Sequence, residues 1–206
     1  MKISSKIARN RYVFAAVFAA LIAVSGFFRV PIPGSIVPVV LKNMFVVLSG
    51  TILGSFYGGV SIIIFLAAGL VGIPVFVISG GPAVFLTPLG GYLLGYFAGS
   101  LTAGLVCGTP SVTERKIRPL LLIRLCVGSF LGFALIDLCG VFYMMALNSM
   151  TLKAALLAGL VPFILGDSIK LAASIPLALA LRPIAARYIN PEPPQESENA
   201  HNDGEK

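Results

Sequence analysis

The chain has 206 residues, of which 57% are hydrophobic and only 11% charged, and its mean hydropathy is +0.97. A soluble domain carries about 25% charged residues, so this composition predicts one membrane domain and no separate soluble one. The net charge of +7 does not point to nucleic acid, because the basic residues flank apolar runs in the manner of membrane topology signals.

The first eleven residues carry Lys2, Lys6, Arg9 and Arg11, and an apolar run follows from Tyr12 to Phe28. The run is long for a signal-peptide core and more spans follow, so a retained first helix is expected. Ala15, Ala19 and Ala23 recur every fourth residue, with Ala16 and Ala20 alongside. Such a stripe lets a second helix approach closely, either within the chain or from a partner. Arg29 to Pro38, with three prolines and a glycine, reads as an irregular connection.

A second span is expected over Val39–Tyr57, interrupted by Lys42 and Asn43 near its start. Lys42 can snorkel to the interface or meet a ligand. Gly50, Gly54 and Gly58 give this span a small-residue face. A third span begins at Gly59 and runs to Val71, then enters Gly72–Phe76, Ser79-Gly80-Gly81-Pro82 and Thr87–Tyr92. Apolar sequence this dense in glycine and proline suits either a loop folded back over a cavity or a plain turn. In the first case its backbone, around Ser79 and Gly80, can hydrogen-bond a solute.

Gly91, Gly95 and Gly99 stripe a fourth span ending near Cys107. The polar linker from Thr109 to Pro119 precedes a fifth span over Leu120–Leu147, with Arg124 near its start and Asp137 deep within. Asp137 can serve a site or pair with Arg124 or another polar neighbour. The sixth span begins near Leu152 and continues through Leu181, ending at Arg182 and Arg187. From Asn190 to Lys206 the chain is polar and reads as disordered. The expected divisions are therefore a cytoplasmic N-terminus over 1–11, a six-helix membrane domain over 12–188 and a disordered cytoplasmic tail over 189–206.

Within the sixth span, Pro162 to Lys170 holds Asp167 and Lys170, opposite charges spaced i, i+3 and so on one helix face. A charge near the bilayer centre costs at least ~2.5–3.5 kcal/mol, and such residues face a cavity or the bundle interior. They are the leading candidates for ligand recognition, against a packing ion pair as the alternative. Cys107, Cys126 and Cys139 match no metal spacing, and the lone histidine, His201, lies in the tail. No phosphate-binding Gly-x-x-x-x-Gly-Lys-Ser/Thr loop occurs, and no Gly-x-Ser-x-Gly site lies in the spans, so neither a catalytic residue nor a cofactor is expected.

With six spans both ends share a side. The basic residues of the N-terminus, of the 109–119 linker and at Arg182 and Arg187 fall on that side, leaving Arg29 and Lys153 opposite. The positive-inside rule then places both termini in the cytoplasm.

Several short motifs, weak singly, recur here in a specific order: Val30-Pro-Ile-Pro-Gly34 with Val37-Pro-Val39, Gly72-Ile-Pro-Val-Phe76, Gly80-Gly81, Pro88-Leu-Gly-Gly-Tyr-Leu-Leu-Gly95 and Pro162-x-x-x-Gly-Asp-x-x-Lys170. From about Val13 to Arg187 the chain resembles the BioY family, the biotin-binding S components of energy-coupling factor transporters. The resemblance implies six helices and a biotin pocket near the external side, with Asp167 and Lys170 in it. It also implies that the alanine stripe of the first helix (Ala15, Ala19, Ala23) docks on an energy-coupling transmembrane subunit that works with ATPase subunits. Lys42, Asn43, Ser79, Gly80 and Tyr92 complete the candidate ligand set. One departure is that Val40-Leu-Lys42 stands where many members read Thr-Leu-Gln, so a cation replaces an amide. The competing readings are an S component for another vitamin and a stand-alone carrier using Asp167 as a proton relay.

Overall fold

A computed structural model describes residues 2–30, 39–76, 80–112 and 119–190, and apart from one short strand pair its regular structure is helical. Helix α1 spans Lys2–Ser25. Two-residue strands β1 (Arg29–Val30) and β2 (Val39–Val40) pair antiparallel, Arg29 opposite Val40. Helix α2 covers Lys42–Leu70, a 3-10 turn Pro82–Leu86, α3 Leu89–Cys107 and α4 Pro119–Leu147. Helix α5 (Leu152–Gly159) leads through a 3-10 turn at Val161–Phe163 into α6 (Ile164–Ile189).

Four helical stretches among the described residues are long and apolar enough to cross a membrane: Lys42–Leu70, Leu89–Cys107, Pro119–Leu147 and Leu152–Ile189. Large apolar side chains such as Ile123, Leu105 and Leu165 point outward, as they do where the solvent is lipid rather than water.

The sequence placed a break between two spans near Gly58. The structure puts a corner at Gly54, whose φ of 80° and ψ of 172° lie outside the helical region. A side chain there is strained, which is why glycine suits the corner. A Cβ built on Gly58 would lie 2.7 Å from the Gly50 Cα, whereas residues eight apart on a straight helix stand about 12 Å apart. Lys42 Nζ sits 4.9 Å from the centre of the Phe65 ring, a pair that a straight helix would separate by about 35 Å. The chain therefore doubles back at Gly54, and the two legs of α2 lie side by side. Gly50 and Gly58 form the seam that lets the backbones touch.

Helix α3 packs most extensively on α4 and on α2. Its Gly91, Gly95 and Gly99 lie against Tyr143, Ile136 and the Gly132 carbonyl of α4. Toward α2, Ser100 meets Ser49 at 2.9 Å between hydroxyls.

Helix α1 lies on α2 and α6, and its inward face corrects one expectation. Ala15 and Ala19 are 0% and 4% exposed, in line with Phe18 and Ile22, and Ala23 packs against the same core. These alanines serve packing within the chain and offer no open groove to a partner. Alanine content alone could not tell the two adjacent stripes apart. The outward one is Ala16 and Ala20, flanked by exposed Val13, Val17 and Val24.

The two ends of the bundle differ in chemistry. At one, Arg11 Nε donates to the Ile189 carbonyl at 2.6 Å and the guanidinium lies over Tyr57. Arg182, expected to mark the end of the last span, is instead wholly buried within α6. Its guanidinium donates to the carbonyls of Thr51, Cys107 and Gly108. Thr51 and Cys107 close helical segments whose last carbonyls have no partner within their own helix, so the cation also meets their negative dipole ends. The opposite end holds the candidate site.

Candidate ligand site

Asp167 and Lys170 occupy neighbouring turns of α6, just after the 3-10 turn that holds Pro162. Lys170 Nζ lies 2.5 Å from Asp167 Oδ1 and 3.1 Å from the Val40 carbonyl. Both side chains are more than nine-tenths buried. The β1–β2 pairing brings Val40 there: it precedes α2 by two residues and is tied back to the end of α1.

Lys42, two residues on, is not a snorkelling side chain. It is fully buried, its Nζ donates to the Val75 carbonyl at 2.8 Å, and its stem fills the space beside Gly26. The ammonium stays inside because a carbonyl and the Phe65 ring face replace water. Asn43 Oδ1 accepts from the Tyr96 hydroxyl at 3.1 Å. The Tyr92 hydroxyl donates to the Gly159 carbonyl at 2.7 Å, its ring lies against Phe163, and Gly140 of α4 makes room for it. Tyr92 thus joins α3, α4 and α5 beside the charged pair.

Ser79 lies outside the described residues. Gly80 is folded against the Gly72 carbonyl, and Gly81 N–H donates to the Gly69 carbonyl at 2.7 Å. The Phe85 carbonyl in the following turn accepts from the Tyr143 hydroxyl. The described part of the Gly/Pro-rich stretch is therefore fastened to the end of α2 and to α4.

The residue that sequence reasoning left open is Asp137. Arg124 is exposed and stands thirteen positions earlier on α4, about 20 Å along the axis, too far to pair with it. Asp137 instead turns inward, 6% exposed, and shares with Asp167 a cavity of about 310 Å³. Phe130, Phe133 and Leu138 of α4 and Leu160, Ile164 and Leu171 supply its apolar walls. Such a chamber, apolar with few polar groups, suits a small ring compound held by one polar edge. The described residues include no cluster suited to a metal ion.

A helical, multi-pass membrane fold with a buried carboxylate–ammonium pair beside an apolar cavity defines a membrane protein with a candidate solute site. The family model described as "BioY family" matches residues 1–187, and the chain belongs to the BioY family. A biotin transporter BioY of Thermotoga maritima is 32% identical over 82% of this chain and 93% of its own length. One from Lactococcus lactis is 31% identical over 82% and 88%. A probable biotin transporter BioY of Lysinibacillus sphaericus is 42% identical over a stretch covering 45% of this chain and 46% of its own. Among solved structures, the S-component for biotin from an ECF-type ABC transporter superposes with a TM-score of 0.71 at 29% identity. That match covers 84% of this chain and 90% of the other.

Proposed function

We propose that this chain is a transporter subunit that binds biotin and mediates its uptake as the S component of an ECF-type transporter, with no reaction catalysed. The observation that carries the reading is the Asp167–Lys170 pair, buried inside an apolar bundle next to a cavity. Biotin offers a ureido ring with two N–H donors and a carbonyl, a thioether ring and a carboxylate. Asp167 accepts from the ureido N–H groups, Lys170 donates to a ligand oxygen, and the apolar walls take the fused rings. Asn43 and Tyr92 shape the same end of the bundle, with Lys42 held in place of an amide. Ser79 and Gly80 are assigned to hydrogen-bond the ligand through their backbone. The test is to purify the protein from biotin-fed cells and identify what accompanies it by mass spectrometry. Biotin is the expected molecule; a different vitamin in its place would refute the assignment.

The reading counts six crossings: α1, the two legs of α2, α3, α4, and α5 with α6. It is supported by the reversal at Gly54 and by the convergence of Arg11, Arg182 and Asn190 at one end. That basic end faces the cytoplasm. Cysteines placed at Ser111 and Asn190 in a background without native cysteines should resist membrane-impermeant thiol reagents in intact cells. Ready labelling of both would reverse the orientation. The partner is an energy-coupling transmembrane subunit working with ATPase subunits, and it docks on the outward Ala16/Ala20 face of α1.

A further inference from the structure

Asp137 and Asp167 come from different helices, and both side chains are more than nine-tenths buried. Both line the same cavity between α4 and α6. Among the described residues, Asp137 Oδ1 and Asp167 Oδ2 are buried with no hydrogen-bond partner. The surrounding donors are committed elsewhere. On α6, Lys170 Nζ serves Asp167 Oδ1 and the Val40 carbonyl. On α3, the Tyr92 and Tyr96 hydroxyls serve Gly159 and Asn43. On α2, Lys42 serves Val75. Lys153 of α5 and Arg124 of α4 are exposed, and Cys139 is half-buried two residues along α4.

Two ionised carboxylates against one ammonium would leave a net negative charge in an apolar bundle, and two carboxylates sharing one buried site do not both ionise. One proton between the carboxyls removes both difficulties. It gives an orphaned oxygen its hydrogen bond, and it brings the Asp137, Asp167 and Lys170 group to zero net charge.

We infer that Asp137 is a positioning residue for the ligand site: as a neutral carboxylic acid it donates a hydrogen bond to Asp167. This fixes the Asp167 carboxylate between Asp137 and Lys170 and leaves its remaining lone pairs to the ligand. The inference rests on the reading of Asp167 as a ligand residue.

The test uses the full chain in detergent and compares the parent with Asp137→Asn, Asp137→Leu and Asp167→Asn. Biotin affinity, ligand-free thermal stability and infrared spectra are read for each. The carboxamide of Asp137→Asn keeps a donor toward Asp167, so its affinity should stay within about threefold of the parent. Asp137→Leu leaves Asp167 Oδ2 without a partner and should lose about ten- to a hundredfold. The parent should show the carbonyl stretch of a protonated carboxylic acid, shifted in heavy water and absent from Asp137→Asn. A parent spectrum lacking that band overturns the inference, as does an Asp137→Leu variant that binds as tightly as Asp137→Asn. If Asp137→Leu does not fold, the infrared band decides alone. Parental affinity in Asp167→Asn would instead defeat the ligand-site reading, whatever the infrared result.

Discussion

Replacing Asp167 with asparagine should weaken biotin binding by about ten- to a hundredfold while leaving the ligand-free protein near the parent's thermal stability. A hydrogen bond to a charged group is worth ~1.5–3 kcal/mol, which sets that range. The substitution keeps the shape of the side chain but turns half of an acceptor into a donor, and it sets that donor against ureido N–H groups. Its amide oxygen can still accept from Lys170, so the fold is spared. A purely structural ion pair makes the opposite forecast. Removing one charge of a buried pair costs about 3–5 kcal/mol, whereas replacing both with apolar residues is often neutral. The double variant Asp167→Leu, Lys170→Leu therefore separates the two cases. A folded double variant that no longer binds biotin supports recognition; one that folds and binds at parental affinity would falsify it.

The second large effect is expected at the outward face of α1. Leucines at Ala16 and Ala20 should leave biotin binding to the isolated protein intact and abolish co-purification with the energy-coupling subunit. The two positions are exposed, so added bulk meets nothing within the chain, but it fills the groove a neighbouring helix would enter. The same change at Ala15 and Ala19, which are 0% and 4% exposed, should instead lower thermal stability by overpacking, at about 1–3 kcal/mol. If Ala16→Leu, Ala20→Leu still assembles while Ala15→Leu, Ala19→Leu does not, the partner surface lies elsewhere.

Asp167 and Lys170 were legible in the sequence because two charges in a long apolar run cannot be hidden by composition, and their i, i+3 spacing fixes a shared face. Asp137 was equally visible, yet the cavity it lines is completed by a helix thirty residues away, and no periodicity reports which helices come together. Gly54 sat in a regular series with Gly50 and Gly58 that reads as a packing face. Only its backbone angles reveal the corner that makes the other two glycines touch. The snorkelling alternative for Lys42 and the span-end reading of Arg182 failed for a related reason. A basic residue at the edge of an apolar run reads as interfacial, but backbone carbonyls from distant segments can take it in. The alanines of α1 held two stripes one residue apart, and which one turns inward is decided by the helices beneath.

The burial of Arg182 bears on how the protein is made. The carbonyls of Thr51, Cys107 and Gly108 that accept from it belong to segments synthesised much earlier. Until α6 is in place, the helix ends at Thr51 and Cys107 lack their cation, and the arginine has no low-dielectric site to enter. Helix α6 therefore closes the bundle, and a nascent chain stopped short of it lacks the residue that ties those earlier helix ends together.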